Sequence, residues 1–389
     1  MITTFAFPTQ IIFGPGAVNR IGEAIGGLGK ERPLVVTDPG VVKAGLLERV
    51  LAPLKNSNLQ PVIFDQVEPN PTEKSVHPGV EVYYRHGCDC ILAVGGGSPL
   101  DAAKAIRLKT THALPLEDYD DLRDGWKQII SNLPPMLAVA TTSGTGSEVS
   151  RSAVITLKST GRKTVIFSQH LMPTVAIDDP DLTLGLPPHL TAATGMDAMT
   201  HNLEAYLSAP FHPMCDAIAL KGVELASRFL RVAVRDGNNQ EARSQMMMAS
   251  IMGAVAFQKG LGSTHSLAHP LSTIAGMHHG LSNALMLPHV MRFNLSAVEP
   301  RLADLAVVMG RANRAATDGV SRRVAAEAAI EEIEKLNADI GIRPGLRHHG
   351  VTQQMIPALA AKAMEDGCRL LNPRPTSLKD MEELYRQAY

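Results

Sequence analysis

The chain has 389 residues, of which 45% are hydrophobic, 4% aromatic and 19% charged, enough apolar material for the cores of two domains. A formal net charge of −1 provides no whole-protein basic field to attract nucleic acid or acidic lipid. No apolar run approaches the ~18 residues of a membrane span, so neither a nucleic-acid nor a membrane partner is expected.

The opening MITTFAFPTQIIF lacks the basic and cleavage features of a secretory leader. Cys88, Cys90, Cys215 and Cys368 are too few for a disulfide framework in so long a chain. Cys88 and Cys90 lie two apart in a strand-like segment, which would not let them share a metal easily. These features predict a cytoplasmic protein with reduced thiols.

Up to about residue 185, short β-rich runs alternate with helix-length segments, the rhythm of a parallel α/β sheet. LVVTD (34–38), PVIFD (61–65), CILAVGGG (90–97), MLAVATT (136–142) and TVAIDD (174–179) are the predicted strands. Their near-continuous apolar character suits a sheet covered on both faces. VVKAGLLERVLAPLK (41–55) and EKSVHPGVEVYYRHG (73–87) are predicted helices. After Pro187-Pro188 helical periodicity takes over to the end of the chain. This predicts an α/β domain over 1–187 and an all-helical domain over 188–389.

Gly95-Gly96-Gly97-Ser98 joins a predicted strand to the helix PLDAAKAI, with Pro99 suited to the first helical turn. Such a junction can hold a phosphate, since glycines admit close backbone approach and the helix start offers N–H groups. A second junction, TTSGTGSEVS (141–150), is rich in hydroxyls and glycine. Neither fits G-x-G-x-x-G, which argues against an ordinary Rossmann motif. Asp38 closes an early strand, where a carboxylate either binds ribose hydroxyls and repels a 2′-phosphate or caps the next helix.

In the helical half, Asp197 and His201 are four apart, as are His265 and His269, and His278 and His279 follow. Residues at i and i+4 share a helix face. Burying this many ionisable groups without a partner would be costly. One carboxylate with several imidazoles suits Fe(II) or Zn(II) rather than Mg or Ca.

Taken together, GGGSPLDAAKA, TTSGTGSEVSR, GMDAMTHNLEAYLS, GLGSTHSLAHPL with HHGLSNALMLPHVMRFN, and DGCRLLNPRP resemble the iron-dependent (type III) alcohol dehydrogenases over essentially the whole chain. The resemblance implies an α/β N-terminal dinucleotide-binding domain and an all-α C-terminal metal-binding domain, the dehydroquinate synthase-like architecture, with the active site in the cleft between them. It implies Asp197, His201, His265 and His279 as ligands of one divalent metal, Fe(II) before Zn(II), and His269 as a nearby non-ligand that moves a proton. Gly96, Gly97 and Ser98 would serve the pyrophosphate, Thr141, Thr142 and Thr145 the nicotinamide side, and Lys163 the ribose, with Asp101 a further cofactor-binding residue. Asp38 sits where a carboxylate accompanies NAD rather than NADP.

The implied reaction is hydride transfer between NAD(H) and a small primary alcohol or aldehyde, by a homodimer or larger homo-oligomer. Two readings keep the fold: a glycerol-dehydrogenase-like polyol oxidation and a dehydroquinate-synthase-like lyase. The uncharged flanks of the histidine cluster oppose the lyase, whose substrate carries phosphate and carboxylate. A non-catalytic sensor is opposed by the complete ligand set. Phe257, Gln258 and Lys259 precede the cluster on the apparent helix AVAFQKGLG. Lys259 either pairs with a carboxylate or solvent, or binds a remote carboxylate of an ω-hydroxy acid or semialdehyde.

Overall fold

The computed structural model describes residues 6–7, 9–57, 59–157, 161, 163–313 and 319–389. They form two compact units: one comprises Phe7–Thr142 and Gly146–Leu184, the other Gly185–Tyr389 together with Ala6 and Ser143–Thr145.

The first unit is built on a six-stranded sheet of order β1-β8-β5-β4-β2-β3. Its strands are β1 (Gln10–Phe13), β2 (Pro33–Val36), β3 (Val62–Phe64), β4 (Cys90–Gly95), β5 (Met136–Ala140) and β8 (Val175–Asp178). Every neighbouring pair is parallel. The apolar runs divide by the twofold alternation of a strand. Leu34, Val36, Ile91, Ala93, Met136 and Ala138 enter one core with α4 (Glu73–Arg85) and α5 (Gly97–Lys109). Val35, Leu92, Val94, Leu137, Val139 and Ile177 enter the opposite core, with α1 (Ile21–Gly27), α2 (Pro39–Lys43) and α3 (Leu46–Leu51).

Three local features depart from expectation. The single helix expected over 41–55 is split, because Gly45 adopts φ +72°, a left-handed conformation that glycine tolerates. The edge strand β1 is not among the predicted strands; its four residues are exposed or only partly buried, unlike the buried runs of β2, β4, β5 and β8. An antiparallel hairpin of β6 (Ser152–Thr156) and β7 (Lys163–Phe167) also escaped notice, although both strands alternate between buried and partly buried residues.

One strand end carries an unusual charge. Asp178 is fully buried, and neither carboxylate oxygen has a hydrogen-bond partner. Burial first, and then the negative charge of Glu148, push its carboxyl well above the ordinary range. The unfolded carboxyl ionises near ~3.9, so between that pH and the raised folded value the unfolded chain releases a proton that the native state retains. Stability therefore falls as pH rises through that window. Asp178→Asn removes the ionisable group and with it this penalty. Melting curves should show the variant higher at pH 8, by about 2–4 °C for each kcal/mol relieved, with the gain shrinking towards pH 4. Equal melting temperatures at pH 8 would refute this account.

The second unit is helical: α6 (Pro188–Leu207), α7 (Pro213–Arg235), α8 (Gln240–Ala256), α9 (Ser263–Ile274), α10 (His279–Val308), α11 (Gly319–Asp339), α12 (Ile356–Ala363) and α13 (Leu378–Ala388). Helix α6 is the axial element, with every residue from Gly195 to Leu207 buried. Its all-round apolar and small composition suits a helix wrapped by others. Among the described residues no helix is long and apolar enough to cross a membrane.

Candidate active site

Helix α6 presents Asp197 and His201 on one face, α9 presents His265 and His269, and α10 begins at His279. Asp197, His265 and His279 offer ligand atoms that all lie within 4.8 Å of one another. The Asn283 amide nitrogen, one turn into α10, donates to Asp197 Oδ1 at 2.7 Å and approaches His265 Nε2 at 3.4 Å and His279 Nε2 at 3.3 Å. Three lone pairs thus converge on a common direction, the arrangement a cation needs. A carboxylate oxygen with imidazole nitrogens fits Fe(II) or Zn(II).

His201 stands beside this trio. Its ring stacks on His265 with centroids 4.7 Å apart, and its Nδ1 lies 3.3 Å from the Gly144 carbonyl, leaving Nε2 open. Burial pushes its pKa down to about 4, so at neutral pH the ring is the uncharged form that binds metals. His269 stacks on His279 at 5.2 Å and meets the edge of His265 at 6.1 Å. Its Nδ1 donates to Asp366 Oδ2 at 2.7 Å. Asp366 also accepts from Ser266 Oγ and from the Cys368 N–H. His278 is the exposed N-cap residue of α10.

Sequence reasoning missed the partners of these histidines. Glu204 lies three residues beyond His201 on α6, and its Oε2 receives His265 Nδ1 at 2.7 Å. The 197, 201, 204 spacing of one helix face was the available signal. Asn283 was equally legible, four residues after His279. Asp366 lies about a hundred residues from His269, and no local spacing links the two.

The segment offered for substrate binding is largely engaged within the fold, in line with the ion-pair alternative for Lys259. Helix α8 ends at Ala256, Phe257–Lys259 form one tight 3₁₀ turn, and Gly260 at φ +120° redirects the chain. The Lys259 ammonium bonds to Asp216 at 2.5 Å and to the Tyr206 carbonyl at 2.9 Å, with its side chain fully buried. Arg301 binds the other oxygen of Asp216. With its side chain buried and two of its three N–H donors used inside the fold, Lys259 matches the ion-pair alternative. Gln258 is likewise engaged, accepting from the Ala6 N–H and donating to Val255 O. Phe257 alone of the three faces the cluster, its ring 5.2 Å from that of His201.

In the α/β unit, α5 begins at Gly97 with Gly96 as its N-cap and no side chain closing its first turn. A Cβ on Gly96 would lie 3.0 Å from Thr142 Oγ1, so glycine keeps a cradle open there. Thr141 is buried and donates its N–H to Gly95 O, and Ser98 Oγ accepts the Asn70 N–H. These features fit a bound pyrophosphate. Asp38 caps α2, with Oδ1 accepting the Val41 N–H at 2.9 Å. The expected capping role is therefore present, and Oδ2 is not committed to it.

Asp101, expected among the cofactor-binding residues, is engaged within the fold. Its two oxygens accept from Ser147 Oγ at 2.6 Å and Val154 N at 3.1 Å, so it ties α5 to the chain before and within β6. Both oxygens thus hold partners inside the fold. Lys163 opens β7, and its charge acts on Asp101. Thr145 belongs to the short segment grouped with the helical unit.

The iron-containing alcohol dehydrogenase family matches residues 8–180, and the C-terminal domain of the Fe-containing alcohol dehydrogenase family matches residues 191–389. A 1,3-propanediol dehydrogenase of Citrobacter freundii is 43% identical, over 99% of this chain and 98% of its own. A 4-hydroxybutyrate dehydrogenase of Cupriavidus necator is 42% identical, covering 98% of each. Among solved structures, a 1,3-propanediol oxidoreductase superposes with a TM-score of 0.95 at 42% identity, with both chains fully covered. An alcohol dehydrogenase from Oenococcus oeni gives 0.94 at 36% identity, again over the whole of both chains.

Proposed function

The chain belongs to the iron-containing alcohol dehydrogenases, and from that premise we propose that it interconverts small, uncharged primary alcohols and aldehydes with NAD(H). The convergence of Asp197, His265 and His279 carries this reading. These three residues and His201 hold one divalent metal, Fe(II) before Zn(II), and the α/β unit binds the dinucleotide. The bound metal supplies Lewis-acid polarisation of the substrate oxygen, and the dinucleotide supplies the hydride chemistry.

The protein's own residues do the rest. The Gly96–Ser98 turn and the open N–H groups of α5 hold the pyrophosphate. Thr141, Thr142, Thr145 and Lys163 serve the remainder of the dinucleotide. Asp366 keeps the proton of His269 on Nδ1, so Nε2 can accept or return the hydroxyl proton. Phe257, against His201, adds apolar surface that excludes water. The similar proteins include a propanediol dehydrogenase and a hydroxybutyrate dehydrogenase. The neutral class is preferred here because Lys259 is spent on Asp216. Steady-state oxidation of 1,3-propanediol and 4-hydroxybutyrate, followed by NADH absorbance with the metal-loaded protein, tests this. A kcat/KM tenfold in favour of the acid would overturn it.

Cofactor choice rests on Asp38. A 2′-phosphate beside this half-buried carboxylate meets repulsion on the order of 1–3 kcal/mol. Asp38→Gly should therefore lower kcat/KM for NAD and raise it for NADP, shifting their ratio about ten- to a hundredfold. Equal use of the two cofactors by the parent enzyme would remove the basis of this expectation.

A further inference from the structure

Glu204 is a carboxylate buried among N–H groups. Its side chain is 5% exposed. Oε1 accepts the Thr264 N–H at 2.6 Å, while Oε2 accepts the Gly262 N–H at 3.1 Å, the His265 N–H at 3.3 Å and His265 Nδ1 at 2.7 Å. Helix α9 begins with Gly262 as its N-cap and no side chain of its own closing that end. The cap comes instead from α6, the helix that carries Asp197 and His201. A Cβ on Gly262 would lie 2.9 Å from Glu204 Oε1, so the approach requires glycine there.

We propose that Glu204 is the positioning residue of the metal centre, locking His265 in the Nδ1–H tautomer so that its Nε2 lone pair is the one presented to the cation. This inference rests on the metal reading of Asp197, His265 and His279. Three observations support it. The Nδ1 hydrogen bond makes His265 the donor on that side. Its Nε2 is the atom that faces Asn283, alongside Asp197 Oδ1 and His279 Nε2. The backbone bonds of Glu204 hold the carboxylate against the first turn of α9, so ring orientation and helix position are set together. Charge balance agrees as well: a divalent cation with Asp197 as a direct ligand keeps one positive charge, and Glu204, acting through the imidazole, offsets it. Outer carboxylates of this kind orient a ligating imidazole and raise its basicity.

The test uses Co(II) as probe, added to metal-stripped full-length parent, Glu204→Gln, Glu204→Asp and His265→Ala, with affinity read by chelator competition and geometry by the visible d–d bands. Glu204→Gln should weaken Co(II) binding about 10- to 100-fold and move the d–d bands, and Glu204→Asp should restore part of both. A purely structural cap would lower the melting temperature of the stripped protein and leave the bands of bound Co(II) unmoved, and that result overturns the proposal. Parental affinity and bands in Glu204→Gln overturn it too. If instead the parent and His265→Ala bind Co(II) alike, the metal reading itself is wrong. Should the Glu204 variants not fold, the imidazole 15N shifts of His265 in the Zn(II)-loaded parent decide: protonated Nδ1 with metal-bound Nε2 supports the proposal, and the reverse overturns it.

Discussion

Replacing His265 with alanine is expected to weaken metal binding by at least about a hundredfold, beyond the loss caused by removing an outer partner, and to abolish measurable alcohol oxidation at physiological metal levels. The site loses one of the three convergent donors, and Glu204 is left buried without the imidazole N–H that it accepts. Both effects act in the same direction. His269→Ala is the informative contrast. His269 shares the stack with His279 but directs its Nδ1 to Asp366, so this variant should keep its metal and lose turnover. Metal content by atomic emission, measured beside kcat, separates the two. Full metal occupancy in His265→Ala would show that the donors converge for another reason.

Gly280→Ala is expected to be as damaging, although it removes no functional group. A Cβ at Gly280 would lie 2.1 Å from the Ala193 carbonyl oxygen and 2.7 Å from its carbon, with Asp197 Cβ at 3.2 Å. The obstacle is the backbone of α6, which no rotamer change relieves. The start of α10 must therefore retreat from α6. His279 precedes Gly280, and its Nε2 stands 3.6 Å from Asp197 Oδ1, so the retreat separates two proposed ligands. Overpacking of this kind typically costs ~1–3 kcal/mol, and the structure points to at least that, together with a fall in metal affinity. Gly26→Ala is the matched control, since nothing lies within 4 Å of its Cβ and a helical alanine is favoured over glycine. Thermal melts and metal titration of both variants check this. A Gly280→Ala protein with parental melting temperature and metal content would mean that the two helices pack less tightly in solution.

The class of the fold and the family motifs are legible in the order of the residues alone. Near-continuous apolar runs announced the buried parallel strands, and the helical periodicity after Pro187-Pro188 announced the helices. The pairs Asp197/His201 and His265/His269 were visible because a helix places i and i+4 on one face. Which partners those side chains find depends on packing between distant segments. Two uses of Lys259 are open in the sequence, and the choice falls to Asp216, forty-three residues away, which meets it in space. Asp101 lay beside a phosphate-type turn, but Ser147 and Val154 occupy its oxygens. Capping and ion pairing across elements satisfy buried polar groups at any sequence separation, and so leave no periodic trace. The same physics hid Asp366 from His269 and left Glu204 looking like one more acid on a helix. Its task became visible only when the amino end of α9 was seen to close upon it.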